Sequence, residues 1–354
     1  MMHTAERKPN NSFFARILAA VSALAFCLAL SGCRSEMHER ELFAMDTFMS
    51  LRVYGGEAES ALGEISELIT RLDGLLSVTN DESELSRLNR AGKAEGLSPE
   101  TFDIIRRALE FSESAGACFD VTLRPVMRAW GFTGGEHRIP SADELSSLLE
   151  KVGDGGVVLD SESRSVTLPD GAELDLGALA KGYAADEAAK LVNAGGCTGA
   201  LLNLGSSTIL AIGSKPDKSK WRIAVKDPAG SDAAGVVAIE HGAVSTSGGY
   251  ERCFTGPDGR TYWHIIDPRT GLPASNGIVS VTVLTEDAFT GDGLSTALFV
   301  MGPEDAEKYR RTHGGFEFIM LMEDGSIFLT PEAAKVFTPQ GAYAQAEIVT
   351  ALIP

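Results

Sequence analysis

Leu174-Asp175-Leu176-Gly177-Ala178-Leu179-Ala180-Lys181-Gly182-Tyr183 is the stretch on which the fold turns. Leu174 to Leu176 is a short β-type run, Gly177 is a turn residue, and Ala178 to Val192 reads as a helix. A buried strand, Ala200 to Leu204, follows. Upstream, Gly156 to Leu159 and Ser165 to Leu168 are further β-type runs. Downstream, Trp221 to Val283 is mostly strand, with a hairpin signal at Pro257-Asp258-Gly259. Helices and strands therefore interleave without strict βαβ alternation. The expected class is α+β, with mixed or antiparallel sheets in a single globular unit.

The flanks agree. Phe43 to Val53 fits one strand, and from Glu57 the residues Leu62, Ile65, Leu68, Ile69, Leu72 and Leu76 form the stripe of an amphipathic helix. A second helix opens at Ser98-Pro99 and a third at Ser141 with Glu144 in capping-box spacing. A helix is expected from about Asp292 to Met301, and the strands Phe316 to Met322 and Ser326 to Leu329 close the pattern.

The 354 residues are 44% hydrophobic, with 31 basic and 49 acidic side chains. That excludes collagen, coiled coil and wholesale disorder. The net charge of -18 argues against a sequence-independent grip on nucleic acid, which needs many cations against phosphate. Any bound anion must be held locally. Residues 1–32 have a basic n-region (Arg7, Lys8, Arg16) and an apolar run from Ile17 to Leu30, the pattern of a signal peptide. Leu30-Ser31-Gly32-Cys33 resembles a bacterial lipobox, which makes Cys33 the acylated mature N-terminus, with 33–40 as tether and 41–354 as the folded domain. An exported lipoprotein on the periplasmic or extracellular side of a membrane is the expectation; an ordinary secretory signal is the alternative. Cys118, Cys197 and Cys253 are too dispersed for a CxxC site or a disulfide framework.

The common nucleotide, zinc-protease and serine-hydrolase signatures GxxxxGK[ST], GxGxxG, HExxH and GxSxG are absent. Five small clusters remain. Lys181 near a helix start, with free backbone N–H groups after Gly177, suits an anion, although a solvated first-turn lysine reads the same way. Ser245-Thr246-Ser247-Gly248 offers hydroxyls and flexible backbone in a turn, as many loops do. His264, ahead of Asp267-Pro268-Arg269, is a candidate base or a structural histidine among aromatics. Asp292 and Thr296, at i and i+4, offer hard oxygens suited to Mg²⁺, or an N-cap and a back-bonded threonine. Ser77 to Asn89 is a polar connection leading into a helical turn.

In order and spacing these clusters resemble the motifs of the ApbE family, the FAD:protein FMN transferases. The likeness runs from Phe43 to Met322 and is densest at Asp175 to Tyr183, Ser245 to Gly248, His264 to Gly271 and Asp292 to Ala297. Gly116-Ala117-Cys118-Phe119-Asp120, Pro125 and Trp130-Gly131-Phe132 follow the family's G-x-F-D…P…W-G-F segment, with Cys118 as an apparent insertion. The resemblance implies an ApbE-like (T-fold-like) fold and a Mg²⁺-dependent transfer of FMN from FAD to a Ser or Thr of an exported flavoprotein, releasing AMP. It implies metal oxygens from Asp292, Thr296 and the Ala178 carbonyl, with Lys181 neutralising the pyrophosphate and His264 activating the acceptor. Met45, Thr79, Glu173, Asp175, Gly177, Ala178, Ser245, Thr246, Ser247, Gly248, Ile266 and Asp267 would join Lys181 and His264 around the dinucleotide. Two departures stand out. Asp46 replaces the glycine of a Met-Gly-Thr, and Thr79 lies where many members carry a stacking tyrosine. An FAD pyrophosphatase and a non-catalytic flavin-binding lipoprotein are the competing readings.

Overall fold

Met45 and Asp46 both hold positive φ, 50° and 59°, and so fold the stretch expected as one strand into a hairpin. A type I′ two-residue turn between antiparallel strands requires this conformation at both positions, which Asp tolerates and glycine adopts freely. The computed structural model describes residues 36–230 and 232–351, so the expectations for the signal segment and Cys33 lie outside the described residues. The hairpin is β1 (Met37–Ala44) and β2 (Thr47–Tyr54). β1 takes in Met37 to Arg40, which the sequence reading gave to the tether.

In chain order there follow α1 (Ala58–Leu76), α2 (Glu84–Ala91), β3 (Lys93–Ala94), α3 (Pro99–Ala115), α4 (Arg124–Trp130), α5 (Ala142–Leu149), β4 (Val158–Asp160) and β5 (Ser165–Thr167). The expected caps form. Ser98 accepts from the Thr101 amide and Ser141 from the Glu144 amide, each satisfying an N–H that a helix start leaves free. Next come α6 (Ala180–Ala194), β6 (Gly199–Leu204), β7 (Thr208–Gly213), β8 (Trp221–Lys226), β9 (Ala233–Ile239), β10 (Gly242–Gly248), β11 (Cys253–Thr255), β12 (Thr261–Trp263) and β13 (Ile278–Thr285). The chain continues through α7 (Ala288–Met301), α8 (Pro303–His313), β14 (Phe316–Met322), β15 (Ile327–Leu329), α9 (Pro331–Val336), β16 (Phe337–Pro339) and β17 (Ile348–Thr350). The strands at 316–329 thus do not end the fold.

Four local expectations are corrected. Leu174 to Leu176 forms no strand: Asn89 bonds both the N–H and the carbonyl of Leu174, at 2.7 and 2.8 Å, and the Asp175 amide donates to the Val121 carbonyl at 2.8 Å. Hence no ladder forms there, beyond one bridge between Leu123 and Glu173. α6 starts at Ala180, two residues after its expected first residue. Ser245 to Gly248 is the end of strand β10 and not a turn. α7 starts at Ala288, capped by Asp287, so Asp292 lies inside the helix and is not its cap.

Nine strands form one sheet in the order β1-β2-β6-β7-β10-β13-β14-β15-β17, antiparallel except for β15 with β17. The class is α+β. Period-two alternation sorts its side chains between two cores. Leu51, Leu202, Leu204, Val281, Val283 and Phe318 pack with Ile65 and Ile69 of α1, Ala184 and Ala188 of α6, and Leu294 and Leu298 of α7. On the opposite face Val244, Ile319 and Leu321 meet Ile223, Val225, Val237 and Phe337 of the small sheet β16-β9-β8. A third apolar cluster, around Trp130, Phe132, Leu145 and Ile266, supports the segment that carries His264.

Candidate active site

α6 and α7 cross at a point where only glycine fits. A Cβ on Gly182 would lie 2.3 Å from the Ala288 carbonyl oxygen, so the helices approach backbone to backbone. This closeness lets the Gly182 amide reach across and donate to Asp292 Oδ2 at 2.9 Å. The other carboxylate oxygen accepts from Thr208 Oγ1, on β7, at 2.6 Å. Asp292 is 5% exposed, and burial raises its pKa against the pull of the Lys181 charge and these two donors. A buried carboxylate is costly unless its oxygens are satisfied, and here both are engaged by neutral donors.

One turn on, Thr296 Oγ1 lies 3.2 Å from Ser247 Oγ, which also sits 2.7 Å from Ser295 Oγ. Ser245 and Ser247 share the face of β10 that looks at α7. A Cβ on Gly291 would stand 2.9 Å from Ser245 Oγ, a buried hydroxyl with no partner among the described residues. Thr246 points to the other face and meets Thr282 at 2.9 Å. Gly248 lies against Tyr250, whose ring a Cβ would strike at 2.4 Å.

Lys181, half-buried at the start of α6, acts electrostatically on both Asp292 and His264. His264 follows β12 directly. Its Nδ1 is 3.3 Å from the Arg252 carbonyl oxygen, and its amide donates to the same oxygen at 3.0 Å. A carbonyl only accepts, so Nδ1 carries the proton and Nε2 keeps a free lone pair. Burial, with the Arg252 and Lys181 charges, pushes the imidazole down to about 4.

The remaining expected residues fall into three groups. Glu173 is clasped by Arg128 at 2.7 and 2.8 Å and by Arg124. Burial raises its pKa, but the two guanidinium groups outweigh that and hold the carboxyl below its ordinary value. Arg124 also donates to the Val78 carbonyl at 2.7 Å, tying Glu173 to the loop of Thr79, whose exposed hydroxyl meets Ser77 at 3.1 Å. Asp175 accepts from the Gly177 amide at 2.9 Å and shapes the entry to α6, with Ala178 half-buried beside it. Asp267 is bound by Arg269 through Nε and a terminal nitrogen, at 2.8 and 2.7 Å, and Ile266 is buried in the Trp130 cluster, so both build the turn after His264. Met45 packs against the main core at the tip of the β1–β2 hairpin.

Sequence reasoning missed Thr208, Asn89, Arg124 and Arg128. Thr208 and the arginines lie in no quoted cluster that marks them out. Asn89 stood at the end of the 77–89 connection, where an asparagine after a helical turn gives no hint of a partner 85 positions on.

The model of the ApbE family matches residues 45–320, most of the chain. The chain belongs to the ApbE family. Its curated ApbE relatives include the FAD:protein FMN transferase of Treponema pallidum, 31% identical over 313 residues, covering 82% of this chain and 86% of that protein. The FAD:protein FMN transferase of Vibrio cholerae is 33% identical over 298 residues, 80% of this chain and 87% of its own length. Among solved structures, the ApbE protein of Thermotoga maritima superposes with a TM-score of 0.79 at 33% identity, covering 85% of this chain and 99% of that one. The flavin transferase ApbE of Vibrio cholerae superposes with a TM-score of 0.75 at 26% identity, with coverage of 85% and 99%. The chain is accordingly an enzyme of the transferase class.

Proposed function

We propose that this protein transfers FMN from FAD to a Ser or Thr hydroxyl of an exported flavoprotein, with Mg²⁺ bound and AMP released. The observation that carries the reading is the buried Asp292 carboxylate, flanked by the Thr296 hydroxyl one helical turn away and by the Lys181 charge. The donors fit the ion: a carboxylate, a hydroxyl and the carbonyl of Ala178 are hard oxygens of the kind Mg²⁺ prefers. Asp292, Thr296 and Ala178 would hold it. When bound, the ion would supply charge neutralisation at the pyrophosphate.

The chain's own residues do the rest. Lys181 adds a positive charge to neutralise the phosphates. The amides around it are engaged within the protein, Leu179 and Ala180 donating to the Leu176 carbonyl and Gly182 to Asp292, so the expected free N–H groups after Gly177 are not what would hold the anion. Nε2 of His264 accepts the proton of the acceptor hydroxyl as its oxygen bonds to the FMN phosphorus. The bond from that phosphorus to the bridging oxygen breaks, and the departing group is AMP. Such a transfer depends on positioning and charge more than on covalent help.

The test is incubation of the protein with FAD, Mg²⁺ and a flavoprotein acceptor, with and without the acceptor's Ser or Thr, followed by mass spectrometry. AMP together with a mass gain on the intact acceptor supports transfer. AMP alone supports the pyrophosphatase reading, and FAD retained unbroken supports a binding module. Export and anchoring through Cys33 are proposed on the sequence of residues 1–33. A Cys33→Ala chain that still partitions with membranes overturns the anchor. Among the described residues no helix is long and apolar enough to cross a membrane.

A further inference from the structure

Asp186 lies one turn beyond Gly182 on the face of α6 that meets α7. Its Oδ1 accepts the Ala288 amide at 2.8 Å and its Oδ2 the Phe289 amide at 3.0 Å. α7 therefore starts on two carboxylates from different elements, since Asp287 separately accepts the Thr290 amide at 2.8 Å. From α3, Arg107 closes the arrangement. Its guanidinium is 3.8 Å from Asp186 Oδ2 and stacks over the Phe289 ring at 4.1 Å and the Tyr183 ring at 5.6 Å. Capping alone does not require a partner on another helix, because Asp287 already provides the local one.

The geometry has a ladder form. On α6 the steps are Gly182 and Asp186; on α7 they are Ala288 with Phe289, and Asp292. Gly182 touches the Ala288 carbonyl and donates to Asp292, while Asp186 receives Ala288 and Phe289. Sliding either helix along the other would stretch the Asp186 bonds and the Gly182 to Asp292 bond together, since all three join α6 to α7 within one turn.

We propose that Asp186 is a positioning residue: it locks the register of α6 against α7 and thereby holds Lys181 and Gly182 opposite Asp292. The carboxylate is kept there against a cost, since burial pushes its pKa up to about 6 despite the two amides and Arg107 that favour the charged form. The register is independent of the reaction assigned above; its kinetic consequence rests on that assignment.

The experiment compares Asp186→Asn and Asp186→Glu with the unaltered full chain. Asn keeps the size and loses the charge; Glu keeps the charge and is one methylene longer, so it shifts the height at which α7 is held. Amide exchange at Gly182 is read by NMR, with kcat and KM for FAD from AMP release. Faster Gly182 exchange in both variants is expected, with kcat lowered about 10- to 100-fold and KM within about twofold, as for a misplaced site of roughly an ångström. Faster exchange confined to Ala288 and Phe289, with Gly182 as protected as in the unaltered chain, reduces Asp186 to a local cap and overturns the proposal. So does a Glu variant with unchanged kcat. If the unaltered protein releases no AMP with any acceptor, the transfer reading fails, and Gly182 exchange still decides the register.

Discussion

Thr208 Oγ1 donates to Asp292 Oδ1 at 2.6 Å, from the first residue of β7 to the second turn of α7. Thr208 is fully buried, so its hydroxyl has no water to turn to and serves this carboxylate. Thr208→Val keeps the shape and removes the donor. Leaving a buried acceptor unpaired costs roughly 1–3 kcal/mol. A lower melting temperature is expected, together with a higher Mg²⁺ requirement for AMP release. An unchanged Mg²⁺ titration would show that the carboxylate is oriented without Thr208.

Gly182→Ala tests the helix crossing. The added Cβ would sit 2.3 Å from the Ala288 carbonyl oxygen, and backbone cannot yield as a flexible side chain does. Overpacking of this kind costs about 1–3 kcal/mol. The separation also lengthens the Gly182 to Asp292 bond, so activity should fall further than the loss of stability explains. A variant with wild-type turnover at low temperature would mean that the crossing is slack.

The α+β class and the strand-rich second half were legible because period-two and period-three-to-four patterns report burial directly. The clusters around Lys181, Ser247, His264 and Asp292 were visible as residue types. What was hidden is what long-range packing decides. Asp292 could be read as an N-cap because local sequence does not show that Asp287 already holds that place. Ser245 to Gly248 looked like a turn because small polar residues crowd turns, whereas here Ser245 and Ser247 face α7, where a Cβ on Gly291 would already meet Ser245. Thr208 carries no local mark, since its importance arises only when β7 lies beside α7.

His264 should be neutral through the physiological range. Burial, helped by Arg252 and Lys181, lowers its pKa to about 4 from an ordinary 6.5. For a group depressed in the folded state, the associated stability is complete above the unfolded value and is lost as pH falls from about 6.5 toward 4. The NMR signal of the His264 ring should therefore stay flat between about pH 8 and 5.5. A midpoint near 6.5 would show that the ring is solvated and that Nε2 is partly protonated in use.

Glu173 is the hub of a bracket: Arg128 and Arg124 hold its carboxylate, and Arg124 reaches on to the Val78 carbonyl. Glu173→Gln removes the charge that orders both guanidinium groups, at a cost of about 1–3 kcal/mol for a hydrogen-bonded charged group. The loop of Thr79 should loosen while the Asp292 region stays intact. KM for FAD is expected to rise several-fold with kcat nearly constant. A fall in kcat at constant KM would place Glu173 in the chemical step instead.

Strand alternation makes the last prediction a contrast between neighbours. Ser247 faces α7, 3.2 Å from the Thr296 hydroxyl, while Thr246 faces the other side and bonds Thr282. If the ion sits between Asp292 and Thr296, Ser247→Ala removes a hydrogen bond worth about 0.5–1.5 kcal/mol beside it, equivalent to roughly a two- to twelvefold rise in the Mg²⁺ concentration for half-maximal AMP release. Thr246→Val should change that value by less than about twofold, since the bond it removes lies across the sheet. The reverse ranking would put the ion on the opposite face of β10, and the grouping of Ser247 with Asp292 and Thr296 would have to be abandoned.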